Sequence, residues 1–373
     1  MEVRILQGDV ASRLGDLPDE SVHCVVTSPP YYGLRDYGVE GQIGLEKTPE
    51  EYVRKIIEVF RQVKRVLRND GTLWLNLGDS YAGSWGAQSR PNGNDIKSTL
   101  QGGSSLSARQ IENHPRGSHT GSVKNTPGLK PKDLIGIPWK VAFALQADGW
   151  YLRQDIIWSK PNPMPESVKD RCTKSHEYIF MLSKSEKYYY DQESIKEPAS
   201  FSTEERKNRS HNGQKGMTAK KINVMDPVKI PSGWDTDKGS YGSIHKDGRT
   251  KSDKQRGHSR RHAGFNERWD HMTKGEQCSG MRNKRSVWTI ATQPFPDAHF
   301  ATYPEELIRP CVLAGCPTGG TVLDPFGGAG TTAIVAMSFM RNSILIEINP
   351  AYIDITVKRI KKKNSMFDSV IVL

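Results

Sequence analysis

The stretch Thr321-Val322-Leu323-Asp324-Pro325-Phe326-Gly327-Gly328-Ala329-Gly330-Thr331-Thr332 narrows the choice of fold more than any other. An apolar strand runs into a glycine-rich turn, and the turn opens a segment of helical character over 331–340. Glycines let backbone approach a ligand closely, and the free N–H groups at the helix start favour a carboxylate or phosphate. A phosphate-binding P-loop needs Gly-Lys-Ser/Thr, and no lysine is present, so nucleoside-triphosphate chemistry is disfavoured. The next strand, 343–348, contains Ile344-Leu345-Ile346-Glu347 and ends in an acid placed to accept hydrogen bonds from ribose hydroxyls. The pair suggests a nucleoside-containing cofactor on a parallel α/β sheet.

Earlier segments fit the same architecture. Residues 3–9 and 23–27 read as short strands. Apolar residues Tyr52, Val53, Ile56, Ile57, Phe60, Val63, Val66 and Leu67 recur at the helical period over 49–67, with Thr48 as N-cap and Pro49 in the first turn. A buried strand follows at 72–77, and strand, helix, strand in succession argues for parallel pairing. A helix over 133–147, strands over 150–158 and 176–182, a helix over 303–313, a strand over 320–324 and a closing helix over 350–361 complete the pattern. Between them, 83–130 is rich in Gly, Ser, Asn, Pro and Arg without periodicity, which predicts an exposed insertion.

Charge is unevenly placed. The chain of 373 residues has a formal net charge of +11. Residues 201–290 hold 20 Lys and Arg against 10 Asp and Glu, so this stretch carries nearly the whole surplus. It also contains His211, His245, His258, His262 and His271, with Trp234 and Trp269 spaced among Gly, Ser and Asn. Such a block suits a polyanionic partner. The five cysteines (Cys24, Cys172, Cys278, Cys311, Cys316) are scattered without a Cys-x-x-Cys pair, so neither a disulfide framework nor a metal site is expected. No apolar run reaches the roughly 18 residues of a membrane span, and Met1-Glu2-Val3-Arg4-Ile5 lacks the form of a signal peptide. A cytoplasmic protein is expected.

At the end of the apolar run Val22-His23-Cys24-Val25-Val26 stands Thr27-Ser28-Pro29-Pro30-Tyr31-Tyr32. Together with the glycine-rich turn, this corner resembles the amino-group DNA methyltransferases that use S-adenosylmethionine. The motif order, catalytic first, target recognition in the middle and cofactor last, is similar to the permuted group called beta. Gly8-Asp9, Trp158-Ser159-Lys160-Pro161, His176-Glu177-Tyr178 and residues 299–307 match the family as well. The likeness covers about 3–192 and 295–361, without the insertion near 83–130.

The resemblance implies a doubly wound, mostly parallel seven-stranded sheet, class I methyltransferase and Rossmann-like, with an inserted basic target-recognition region. The chain then divides into a catalytic half (1–82), a polar insertion (83–130), the remainder of the catalytic half (131–192), the basic region (193–294) and a cofactor half (295–373). Ser28, Pro29, Pro30 and Tyr31 become the catalytic residues. Asp9, Asp324, Phe326, Gly328, Gly330, Thr331, Thr332 and Glu347 become cofactor residues, with Asp9 meeting the adenine amine and Glu347 the ribose.

The implied chemistry follows from the corner. An exocyclic amine is a poor nucleophile because its lone pair is delocalised into the ring. The Ser28 hydroxyl and the Pro29 carbonyl, held by the fixed proline φ, would accept its hydrogens out of plane, while Tyr31 stacks on a base rotated out of the duplex. Transfer would be a direct in-line displacement. Within the family, Ser at position 28 goes mainly with cytosine N4 and Asp or Asn with adenine N6, so cytosine N4 leads and adenine N6 stays open. Cytosine C5 chemistry needs a thiolate, and the only Pro-Cys pair, Pro310-Cys311, falls in an expected helix. RNA and protein amides also remain as substrates, as does a binding protein with a vestigial site.

Double-stranded DNA is the expected partner, with a cognate restriction endonuclease allowed and monomer or dimer both open. Lys160 and Arg256, Arg260, Arg261, Arg282 and Arg285 are the candidate DNA contacts, on phosphates or guanine edges. Gly33-Leu34-Arg35-Asp36-Tyr37-Gly38 reads as a glycine-hinged loop beside the corner.

Overall fold

The computed structural model describes residues 1–34, 38–82, 128–198, 281–293, 302–363 and 369–373. Most of the polar insertion, Arg35, Asp36 and Tyr37 of the hinged loop, and Arg256, Arg260 and Arg261 lie outside the described residues. By its internal contacts the chain divides into a first unit, Met1–Ile195 with Lys284–Leu373, and a second, Lys196–Asn283. The expected basic region, 193–294, therefore extends into the first unit at both ends. What is described of the second unit is one antiparallel pair, β6 (Glu197–Pro198) with β7 (Met281–Arg282).

In the first unit the strands are β1 (Glu2–Gln7), β2 (Val22–Thr27), β3 (Leu67–Leu77), β4 (Tyr151–Ser159), β5 (His176–Ser183), β8 (Val287–Thr289), β9 (Thr321–Asp324), β10 (Asn342–Glu347) and β11 (Ser369–Val372). They form one sheet in the order β11-β1-β10-β9-β2-β3-β5-β4-β8. Only its β3·β5 and β4·β5 pairings are antiparallel. The family's seven strands are thus present, and β11 on β1 and β8 on β4 add one strand at each edge.

Helices α1 (Val10–Gly15), α2 (Pro49–Val66), α3 (Ile137–Ala147), α4 (Glu305–Gly315), α5 (Thr331–Ser338) and α6 (Pro350–Lys363) cover both faces. Alternation along the strands explains why. Val25, Leu73 and Leu75 pack with α2 and α3 residues such as Tyr52, Phe60 and Leu145. Cys24, Val26 and Trp74 point the other way, into the α4 face of Leu307, Cys311 and Val312. Strands apolar on both faces belong in a helix-covered parallel sheet.

Two expected helices start later than their sequence suggests. The helix expected from 133 begins at Ile137, because Gly136 takes a left-handed φ of 78° and Asp79 caps from outside, accepting from Gly136 N and Ile137 N at 3.0 Å each. The helix expected from Tyr303 begins at Glu305, which frees the Tyr303 side chain for another use.

Strand order sets the functional geometry. From β9 the chain crosses through α5 to β10 on one side, and from β2 it crosses through α2 to β3 on the other. β9 and β2 are neighbours, so the sheet reverses winding direction between them, and the crevice outside their carboxyl ends is where such sheets bind ligands. The glycine-rich turn leaves β9 there, and the Ser-Pro-Pro-Tyr corner leaves β2.

Candidate functional site

Asp324 closes β9 and is 1% exposed. Its Oδ1 accepts from Thr27 Oγ1 at 2.6 Å and Phe326 N at 3.1 Å, and its Oδ2 accepts from Thr332 Oγ1 at 2.6 Å and Tyr303 OH at 2.8 Å. Burial raises its pKa, opposed by these donors. The Thr27 bond ties the end of β2 to the end of β9 across 297 positions of sequence. Asp324 does not line the cleft; neither does Thr332, which is fully buried. Gly330 is also behind it. It holds a left-handed φ of 73°, and a Cβ there would run into the Thr356 side chain. These three expected cofactor residues shape the turn from within, because their polar and steric capacity is already used by the protein.

The remaining cofactor candidates face one open cleft. Asp9, Phe326, Gly328, Thr331 and Glu347 line it together with Ser28 and Pro30 of the corner, and Gly41, Gln42 and Ile43, just past the hinged loop, form another wall. Glu347 Oε2 accepts from Gly328 N at 2.7 Å and Oε1 from Asn349 N at 2.8 Å. These bonds fix the carboxylate, while burial holds its pKa above the ordinary range. One lone pair per oxygen remains for a ligand hydroxyl. Asp9 caps α1, its Oδ1 accepting from Ala11 N and Ser12 N at 3.0 Å each. Apolar Val10, Phe326, Ile348 and Tyr352 complete a wall fit for a flat ring. The donor set and the cavity thus fit S-adenosylmethionine.

The corner is rigid on every side. Pro29 is buried, and the Pro30 carbonyl accepts from Tyr52 OH at 2.9 Å. Gly44, with φ of 109°, brings its backbone against Pro30 and Tyr31, and its carbonyl accepts from Gly33 N at 2.8 Å. The Tyr31 ring lies so close to Gly78 that a Cβ there would come within 2.5 Å of Cε2.

Tyr31 OH enters a polar network that its local sequence does not announce. It donates to Glu177 Oε2 at 2.7 Å and accepts from Asn76 Nδ2 at 2.8 Å, with Ser28 Oγ at 3.4 Å. Asn76 Nδ2 also reaches Glu177 Oε2 at 3.2 Å and Ser28 Oγ at 3.4 Å. Burial and the adjacent Glu177 charge push the tyrosine pKa well up, so Tyr31 stays a neutral phenol. Asn76 Oδ1 is buried and has no partner among the described residues, a cost of about 1–3 kcal/mol that a residue chosen for stability alone would avoid. Glu177 Oε1 pairs with Lys160 Nζ, which lies 4.2 Å from the Trp158 ring centre. Lys160 is therefore engaged inside the site rather than held out as a free phosphate contact.

The other expected DNA contacts divide. Arg282 pairs with Glu197 at 2.9 Å within the second unit, whereas Arg285 is exposed. Cys311 is 1% exposed inside α4, and burial pushes its thiol well up, which is the opposite of a C5-type nucleophile. Asn76, Glu177, Gly78 and Tyr303 are the residues the sequence did not single out. His176-Glu177-Tyr178 was visible as a family-like stretch, but only the β3·β5 pairing places Glu177 beside Asn76 and Tyr31. Among the described residues no helix is long and apolar enough to cross a membrane, and no His/Cys/Asp/Glu group is arranged to hold a metal.

Residues 22–358 match the family model described as DNA methylase. Type II methyltransferase M.Cfr9I of Citrobacter freundii is 40% identical over 97% of this chain and 88% of its own length. For M.SmaI of Serratia marcescens the identity is 42% over 96% and 91%. Among solved structures, PvuII DNA methyltransferase, described as cytosine-N4-specific, aligns at a TM-score of 0.53 and 15% identity over 96% of this chain and 86% of that one. A Thermus thermophilus protein described as a putative DNA modification methylase, solved with S-adenosyl-L-methionine, aligns at 0.51 and 20% identity over 99% of each chain. Both solved structures share the fold.

Proposed function

Because this chain belongs to the DNA methylase family of amino-group enzymes, we propose that it methylates the exocyclic N4 amine of a cytosine rotated out of duplex DNA. The observation that carries this reading is the shared cleft, in which Ser28 and Pro30 face the same space as Phe326, Gly328 and Glu347. S-adenosylmethionine, when bound, supplies an electrophilic methyl sulfonium. Glu347 would accept from its ribose hydroxyls, Asp9 from its adenine amine, and Phe326 would lie against the ring.

Ser28 Oγ would accept one hydrogen of the target amine and the Pro29 carbonyl the other, turning the nitrogen lone pair toward the cleft. Tyr31 would carry the base. Asn76 and Glu177 hold the Tyr31 hydroxyl, and Gly78 leaves room for its ring, so the stacking surface is set before the base arrives. With cofactor and base bound, the apolar and glycine-lined walls would exclude water and so strengthen each of these contacts. Ser28 supports cytosine, because in the family that the corner resembles Ser at this position goes mainly with cytosine N4 and Asp or Asn more often with adenine N6. The basic region, 193–294, would read the target, with Arg256, Arg260, Arg261, Arg282 and Arg285 as the candidate contacts to phosphates and guanine edges. The relatives' description as Type II methyltransferases supports a cognate restriction endonuclease as partner and the cytoplasm as the setting.

Nucleoside mass spectrometry of DNA from cells expressing the protein tests the reading. N4-methylcytosine is expected. N6-methyladenine would transfer the same geometry to adenine, and no modified base would overturn it.

A further inference from the structure

The loop that joins β4 to β5, residues 160–175, carries a side chain that nothing in the fold uses. Met164 is 84% exposed, the most exposed large apolar residue among those described. It stands between Pro163 and Pro165, in the run Lys160-Pro161-Asn162-Pro163-Met164-Pro165. Exposed methionines are ordinary on mobile tips, but this loop is braced on both sides of Met164. Asn162 Oδ1 accepts from Thr292 N at 2.9 Å and its Nδ2 donates to Thr292 O at 3.1 Å. Glu166 pairs with Arg171 at 2.6 Å, and Arg171 lies 4.1 Å from the Tyr81 ring centre. Lys132 holds Asp170 at 2.6 Å, and Lys160 N donates to Ser175 O at 2.8 Å across the loop's base.

The loop's base is part of the proposed active site. Lys160 and Glu177 flank it and pair with each other, and Glu177 holds Tyr31. Because β4 runs parallel to β3 through two antiparallel pairings with β5, the loop emerges at the same, carboxyl, end of the sheet as the Ser28 corner. An apolar side chain on a braced, proline-flanked loop, at the same end of the sheet as a base-binding corner, matches the wedges that proteins insert between base steps. Rotating a base out leaves an apolar gap in the stack, and filling it favours the rotated state.

We propose that Met164 is the wedge that enters the DNA stack when the target base leaves it. The proposal rests on the methyltransferase reading above and adds to it a specific contact with the duplex. Its test uses a duplex containing the modified site, mapped by sequencing DNA from expressing cells, with 2-aminopurine replacing the target base. Wild-type protein is expected to raise the fluorescence on binding. Met164→Ala is expected to cut that rise at least about fivefold, and Met164→Leu to restore it, since an apolar wedge depends on size. Unchanged thermal stability and S-adenosylmethionine affinity would show that Met164→Ala is folded. A fluorescence rise and kcat/KM in Met164→Ala equal to wild type would overturn the wedge. So would wild-type protein that transfers labelled methyl groups to the natural duplex without any fluorescence rise, and in that case the methyltransferase reading survives. Absence of both signals in wild-type protein would remove the two together.

Discussion

The glycine-rich turn after β9 and the Ser-Pro-Pro-Tyr corner after β2 stand at neighbouring strand ends, and different groups are held in each. In the turn it is the backbone that is held, by the side chains of Asp324, Glu347 and Thr356. Gly328 and Gly330 take left-handed φ values of 51° and 73°, Gly328 N binds Glu347, and α5 begins directly afterwards. The corner uses side chains drawn from elsewhere, with Tyr52 from α2, Asn76 from β3 and Glu177 from β5 holding Pro30, Ser28 and Tyr31. A backbone cradle suits a cofactor that is the same in every turnover. A side-chain scaffold suits a substrate whose amine must meet particular acceptors.

The two regions can be broken apart at their joint. Asp324→Ala would remove the acceptor shared by Thr27, Thr332, Tyr303 and Phe326 N and open a cavity, and it is expected to cost about 3–5 kcal/mol. Against the roughly 5–15 kcal/mol of a whole domain, that is a large share of the stability. Chemical denaturation measures it, and a loss below about 1 kcal/mol would mean that the two strand ends are not joined through this carboxylate. Asp324→Asn keeps one acceptor oxygen and should fall between.

A smaller change should strike the corner alone. Gly78→Ala places a methyl group against the Tyr31 ring and is expected to lower methyl transfer about 100-fold while costing about 1–3 kcal/mol of stability. S-adenosylmethionine affinity by calorimetry should stay close to wild type, because Gly78 does not line the cleft. Loss of cofactor binding would show that the two regions are not separable.

The smallest expected effect concerns the turn and is read through pH. Burial raises the Glu347 pKa, so its carboxylate protonates at a higher pH than an ordinary glutamate as the solution is acidified. Protonation removes acceptor capacity, and S-adenosylmethionine should therefore bind more weakly as pH falls, beginning above the 4.5 of an ordinary glutamate. In Glu347→Gln the affinity should be weaker throughout and lose that slope. An identical slope in the variant would assign it to another group.

How much of this was legible follows from the same contrast. The turn could be read directly, because strand, glycines and helix start are contiguous in the chain. So could Ser28, Pro29, Pro30 and Tyr31. Asp324, Gly330 and Thr332 were legible as a motif but not in their role, since only packing shows that Tyr303, Thr27 and Thr356 already occupy them. Asn76 carries no local signal, and Glu177 stands in a family-like stretch that does not say what it touches: one lies near the end of an apolar strand, the other near the start of one a hundred residues later. They meet because β3 and β5 are neighbours, and neighbour order in a sheet is a property of the whole fold. The two edge strands, β8 and β11, were missed for a related reason. Segments of three and four residues have little period of their own and form against an existing edge.

The separation of roles is tested most directly by Ser28→Ala, with S-adenosylmethionine affinity by calorimetry and single-turnover methyl transfer to duplex DNA measured on the same preparation. The affinity is expected within about twofold of wild type, with transfer reduced about 100–1,000-fold, the usual effect of removing one group that acts in the transition state. Transfer at the wild-type rate, or loss of cofactor binding in parallel with transfer, would contradict it.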